Sequence, residues 1–132
     1  GDGPLLGASK KLAETLGVED LVVFHGHVNE PYGYIAEADV LILPSLSEGI
    51  PRSVLEALCL GVPCILRDVD GNRELVKSGV NGELFATDLE LANTILKVVR
   101  QAQDGIFHKN NLIPDKFRQS TCAELYLNLI SQ

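Results

Sequence analysis

The chain has 132 residues, which suits one packed domain rather than two. Its hydrophobic content of 45% fits a globular core, and no apolar run approaches the roughly 18 residues that mark a membrane span. A formal charge of −7 without clustered Lys and Arg argues against a nucleic-acid backbone as partner, so any phosphate binding must be local.

Helix and strand signals alternate along the chain. Residues 5–16 predict a helix with Leu5, Leu12, Ala13 and Leu16 on one face and Gly17 as its stop. A strand is expected over 21–25, a helix over 32–38 and a strand over 40–43. Val40-Leu41-Ile42-Leu43, closed by Pro44, is expected to be buried on both faces because it leaves no polar side for water. Further strands are expected over 64–66 and 83–85, and helices over 53–60 and 72–77 with Gly61 and Gly79 as stops. A longer helix is expected over 88–103 with Asp88 as its cap. Residues 104–116, with Gly105 and Pro114, read as a linker before a last helix over 118–130. The order predicts an α/β fold with a doubly wound parallel sheet, Rossmann-like. Neither an internal repeat nor a low-complexity segment is present.

The most informative stretch runs from Ser45 to Ala57, a Gly-containing turn between the 40–43 strand and a short helix. In open parallel sheets ligands settle beyond the carboxyl ends of strands, where the next helix presents free N–H groups and the positive end of its dipole. Residues 50–54 would supply those groups. Pro51 fits the first helical turn, where a missing N–H costs nothing, and Gly49 lets the backbone approach a ligand closely. A diphosphate is the natural guest. Arg52 adds positive charge there or points to solvent. Glu48 and Glu56 would repel phosphate, so they are expected to accept hydrogen bonds from hydroxyls, one set on a sugar and one on a ribose. The plainer alternative is a solvated Glu48 and a helix-face Glu56 beside the core residues Val54, Leu55 and Leu58.

A wider pattern surrounds this turn. Gly1-Asp2-Gly3-Pro4, Val22-Val23-Phe24-His25-Gly26, Asp39 through Ser45, Glu48-Gly49, Glu56-Ala57, Gly61-Val62-Pro63, Asp68, Gly71, Glu74 and Gly79-Val80-Asn81-Gly82 follow one another in order. Together they resemble the C-terminal, nucleotide-sugar donor domain of a retaining group 1 glycosyltransferase with the two-domain B-type fold. The resemblance covers nearly the whole chain.

It implies that Glu48, in the catalytic position, contacts hydroxyls of the donor sugar and that Glu56 holds the ribose diol. It further implies that the backbone at Gly49, Ile50, Pro51, Arg52 and Ser53 meets sugar and diphosphate, and that His27 and Val28 line the base. The chain departs from the family where Ile50-Pro51 replaces the common Phe-Gly, with one backbone donor fewer. The donor would be UDP- or GDP-linked, with no cofactor and no metal. A full member also has an N-terminal acceptor domain and a Gly-Arg and Lys-bearing segment that holds the diphosphate, and neither is in this sequence.

The chain is therefore expected to be part of a larger enzyme that transfers a sugar to a glycan or lipid-linked acceptor in surface polysaccharide biosynthesis. Such enzymes use front-face displacement with help from the departing diphosphate, so the part alone is expected to be inactive. Residues 1–106 would form the nucleotide-sugar-binding domain, truncated at its N-terminal side, and 107–132 a linker and a crossover helix with Leu125, Leu129 and Ile130 partly exposed. With the family's strand order, two strands would be missing between the Val22 and Val40 strands. Those two would then pair directly, or the chain would exchange elements with a second copy as a homo-oligomer. A cytoplasmic location is implied, with the parent peripheral on the inner membrane face. Two alternatives stand: a folded interaction module that binds no donor, and a related phosphorylase or epimerase of the same fold.

Other candidates are weaker. His25 and His27 would face one side of a strand, but no third metal ligand is near; base contact by His27 and an ordinary strand-end role are the other readings. His108 falls in the linker, where a solvated role is expected. Asp68, Asp70 and Glu74 suggest a cation site or, better, a loop and helix cap whose charge Arg67 and Arg73 partly neutralise. Ser45, Ser47 and Ser53 have no neighbouring His to activate a nucleophile. Cys59, Cys64 and Cys122 lack metal-like spacing and are expected to be buried and reduced.

Overall fold

A computed structural model of the chain describes residues 1–107 and 111–120. His108, Cys122 and nearly all of the last expected helix, with Leu125, Leu129 and Ile130, lie outside the described residues. The chain divides into two compact units, Gly1–Pro31 and Tyr32–Gln132.

The first unit holds α1, Leu6–Leu16, and a 3₁₀ turn, Glu19–Leu21. Gly17 ends α1 in the left-handed conformation, φ 65°. Its N–H donates to the Glu14 carbonyl and that of Val18 to the Ala13 carbonyl, the paired bonds of a Schellman stop. Of the predicted apolar face only Ala13 is buried, while Leu5, Leu12 and Leu16 are exposed. The strand expected over 21–25 is not formed. Leu21 belongs to the 3₁₀ turn and Val22 is extended but joins no ladder. A strand exists only with a hydrogen-bonded partner, which local sequence does not reveal.

The second unit carries the sheet. In chain order it contains α2 (Tyr32–Glu37), β1 (Leu41–Leu43), α3 (Arg52–Cys59), β2 (Cys64–Arg67), α4 (Asp70–Leu75), β3 (Gly82–Phe85) and α5 (Asp88–Gln103). The strands are parallel in the order β1-β2-β3, with Leu41 opposite Cys64 and Cys64 opposite Gly82. Among the described residues β1 pairs with β2 alone.

Strand alternation sends side chains to two covered faces. Cys64 and Leu66, with Leu41, Leu43 and Leu84, meet Val54, Ala57 and Leu58 of α3 and Leu75 of α4. Ile65 and Phe85 meet Val98 of α5 on the other face. Each fully buried large side chain among these stabilises the fold by about 1.5–3 kcal/mol relative to exposure. β1 is not buried on both faces as expected. Ile42, opposite Ile65, is 38% exposed because β1 is the end strand and α5 packs on β2 and β3.

Other departures are local. Gly61 lies just past α3 as predicted, but α4 ends at Leu75, so Gly79 belongs to the turn before β3. The N-cap of α5 is Thr87, and Asp88 is its first residue, facing Arg67. Glu90 Oε2 accepts from the Ala86 N–H and helps to close that helix start. Part of the expected linker is packed: Ile113 is buried, and the Leu112 N–H donates to the Leu58 carbonyl at 2.8 Å. Cys64 is buried but Cys59, on the outer side of α3, is exposed, and both thiols are free. No helix among the described residues is long and apolar enough to cross a membrane.

Candidate functional site

The site lies at the carboxyl ends of the strands. β1 stops at Leu43, Pro44 breaks the ladder, and residues 45–50 turn into α3, whose N-cap is Pro51 at φ −68°. No side chain among the described residues caps this helix. The Val54 and Leu55 N–H groups both donate to the Pro51 carbonyl. Those of Ile50, Arg52 and Ser53 have no backbone acceptor among the described residues. The start of α3 thus leaves adjacent donors and the positive end of the helix dipole available to an anion. Pro51 occupies the cap rather than the first helical position, which moves the donor pair to Arg52 and Ser53.

Val54, Ala57 and Leu58 anchor α3 in the core. Glu56 lies between them in sequence but is partly accessible, its side chain 25% exposed. Arg52 Nη2 is 3.9 Å from Glu56 Oε1, with the Arg52 side chain 88% exposed. At that distance and exposure the pair contributes little to stability and leaves both groups usable. Gly49 needs no special backbone conformation, and a Cβ added to it would meet no atom within 4 Å. The chain's own packing therefore does not demand glycine there.

Glu48 is half-buried and lines a cavity of about 320 Å³ with Leu46, Ser47, Asp68, Asp70 and Arg73. Arg73 Nε donates to Asp68 Oδ1 at 2.6 Å, and Nη1 to Asp70 Oδ1 at 3.4 Å. The bond and charge of Asp68 raise the Arg73 pKa above its ordinary value, so the guanidinium stays charged. Glu74 pairs instead with Lys116 at 2.9 Å, which separates it from the other two carboxylates. Asp70 opens α4 without a side-chain cap bond, Val69 being the cap residue. Arg67 does not join this cluster; its guanidinium faces Asp88.

His27 and Val28 belong to the first unit, and the Glu48-to-Glu56 segment to the second. His27 Nε2 is 3.0 Å from Asn29 Oδ1, and both histidines are exposed outside any strand. A second cavity, of about 530 Å³, lies at the opposite end of the strands, lined by residues 36–39 and 60–63 and the last turn of α5. It is remote in the fold from Glu48.

Two features of the site are not apparent from local sequence. One is the reach of Arg67 to the Pro44 carbonyl, 23 residues away. The other is contact between Gly71 and the backbone of Gly49. The only sequence signal for the first is an Arg closing the apolar run Cys64-Ile65-Leu66.

Comparison with known proteins identifies the family. The family model for group 1 glycosyl transferases matches residues 1–101. The UDP-Gal:alpha-D-GlcNAc-diphosphoundecaprenol alpha-1,3-galactosyltransferase of Escherichia coli is 31% identical over 139 residues, covering 98% of this chain and 36% of that protein. The solved structure of the lipopolysaccharide outer core galactosyltransferase WaaB, apo form, superposes with a TM-score of 0.81 at 26% identity, over 98% of this chain and 38% of that one. The structure of Anabaena Alr3699/HepE in complex with UDP gives 0.82 at 26% identity, over 96% and 36%. The chain thus spans little more than a third of the length of these relatives.

Proposed function

This chain belongs to the group 1 glycosyl transferases, and from that premise we propose that it is the donor-binding part of a retaining glycosyltransferase. The observation that carries the reading is the start of α3. N–H groups of Arg52 and Ser53 that have no backbone acceptor among the described residues stand beyond the end of a parallel strand, between Glu48 and Glu56. A diphosphate receives those N–H groups, Glu48 accepts from hydroxyls of the sugar, and Glu56 from the ribose diol. Gly49 leaves room for close approach. The UDP bound in the Anabaena structure supports a nucleotide as the ligand.

No metal ion is required in this reading. The donor is UDP- or GDP-linked, and the acceptor, a glycan or lipid-linked glycan of surface polysaccharide biosynthesis, binds a separate N-terminal domain of the parent. The parent works in the cytoplasm, peripheral on the inner membrane face. One observation favours weak binding by the chain alone: Arg52, at the start of α3, is largely in solvent, its guanidinium 3.9 Å from Glu56.

Calorimetric titration with UDP, GDP and ADP and their sugar conjugates, beside a Glu56→Ala variant, tests the proposal. One base should bind, and loss of the ribose contact should weaken it by about tenfold, the scale of one charged hydrogen bond. Absence of binding up to millimolar ligand, or a Glu56→Ala variant that binds equally well, would overturn it.

A further inference from the structure

Arg67 closes β2, the central strand, and its side chain is only 13% exposed. Its fork reaches both neighbouring strand ends. Nε donates to the Pro44 carbonyl at 3.0 Å, Nη1 to the Ala86 carbonyl at 3.4 Å, and Nη2 to the Asp88 carboxylate. The guanidinium also lies 5.0 Å from the Phe85 ring centroid. The planar guanidinium spreads its fixed donors over acceptors on separate segments, a geometry that the compact ammonium of a lysine does not reproduce. Asp88, in the first turn of α5, is favoured there by the helix dipole and completes the charge balance.

Pro44 is the residue from which the Glu48 turn departs. An apolar residue at position 67 would fill the space without desolvating a charge, but it would leave the Pro44 carbonyl unheld. The far end of the same turn is fixed independently, where Gly49 rests against Gly71. α3 does not depend on this clasp, because Val54, Ala57 and Leu58 seat it in the core.

We propose that Arg67 is a positioning residue for the donor sugar: by holding the Pro44 carbonyl it sets the direction of the turn and hence the place of the Glu48 carboxylate. The inference rests on the donor-binding reading and assigns Arg67 an effect on the sugar alone. The diphosphate is held by α3, and the α3 donors stay in place when Arg67 is lost.

The test measures affinities of the full chain for three pairs, UDP and UDP-glucose, GDP and GDP-mannose, ADP and ADP-glucose. Wild type is compared with Arg67→Ala and Arg67→Lys, each first shown to melt cooperatively. For the base that wild type prefers, both variants should bind the nucleotide sugar about tenfold more weakly while the nucleoside diphosphate changes by less than about twofold. A merely structural role would lower the melting temperature and weaken both ligands by the same factor, which would overturn the proposal. So would a lysine variant with wild-type sugar affinity. A wild-type chain that binds none of the six ligands would remove the donor reading itself, a result separable from the other two.

Discussion

The carbonyl oxygen of Gly49 fills the space in which a side chain on Gly71 would begin: a Cβ there would stand 1.4 Å from it and 2.8 Å from the Glu48 carbonyl oxygen. The donor turn and the start of α4 therefore meet backbone to backbone. Neither partner can swing aside, so even one methyl group must push the turn or the helix away.

Gly71→Ala should destabilise the chain by about 1–3 kcal/mol, the usual scale of overpacking, and displace Glu48. Gly49→Ala is the control, because its Cβ meets nothing and its φ is not positive. That change should leave stability within about 1 kcal/mol of wild type or raise it slightly. Urea denaturation of the two variants separates them. Equal losses would mean that the close approach is not as described.

Glu83 sits on the α5 face of β3 with 5% of its surface exposed. Its Oε1 accepts from the Gly79 N–H at 3.0 Å and forms an ion pair with Lys97 Nζ at 2.8 Å. Lys97→Met leaves the buried carboxylate with one donor and should cost roughly 2–4 kcal/mol, below the full penalty because Lys97 reaches solvent. Adding Glu83→Gln should recover part of that loss. A double-mutant cycle by urea denaturation measures the coupling, and strictly additive losses would show that the pair does not interact.

How much was legible in the sequence depends on how far apart the interacting residues lie. Gly17, the apolar runs at 41–43 and 64–66, and the span of α5 were readable because period and stop signals are local. The Glu48 turn was readable for the same reason, since strand, glycine and helix start are contiguous. The extended segment at Val22 was misread because its strand state depends on a partner. Asp88 was misread as a cap because its actual partner, Arg67, lies 21 residues earlier. The Gly49–Gly71 contact required the sheet to exist before it could be seen.

Ile42 illustrates the same dependence and leads to a prediction. Its run reads as a doubly buried strand, yet β1 is the end strand in the order observed. An end strand with an exposed Ile is a template for pairing with another chain. The isolated chain should self-associate through this edge, and Ile42→Lys should shift light scattering toward monomer at equal concentration. A wild-type chain that is strictly monomeric and melts cooperatively would exclude both edge pairing and the exchange of elements between copies.

The Cys64 thiol is fully buried at the start of β2 and points its hydrogen toward the Val62 carbonyl at 3.6 Å. Burial pushes its pKa from 9.0 up to about 12. In the unfolded chain the thiol loses its proton above pH 9, whereas the folded chain keeps it until about pH 12. Within that window the unfolded state binds fewer protons, so stability falls as pH rises. The slope approaches 1.36 kcal/mol per pH unit, up to roughly 4 kcal/mol across the window. Below pH 9 the contribution is fully present. Cys64→Ala removes this titration while leaving every other group in place, so the difference in stability between variant and wild type should narrow steadily from pH 9 upward. Urea denaturation at intervals between pH 8 and pH 11 measures it, and a difference that stays constant with pH would show that the thiol is not shielded from water in the folded chain.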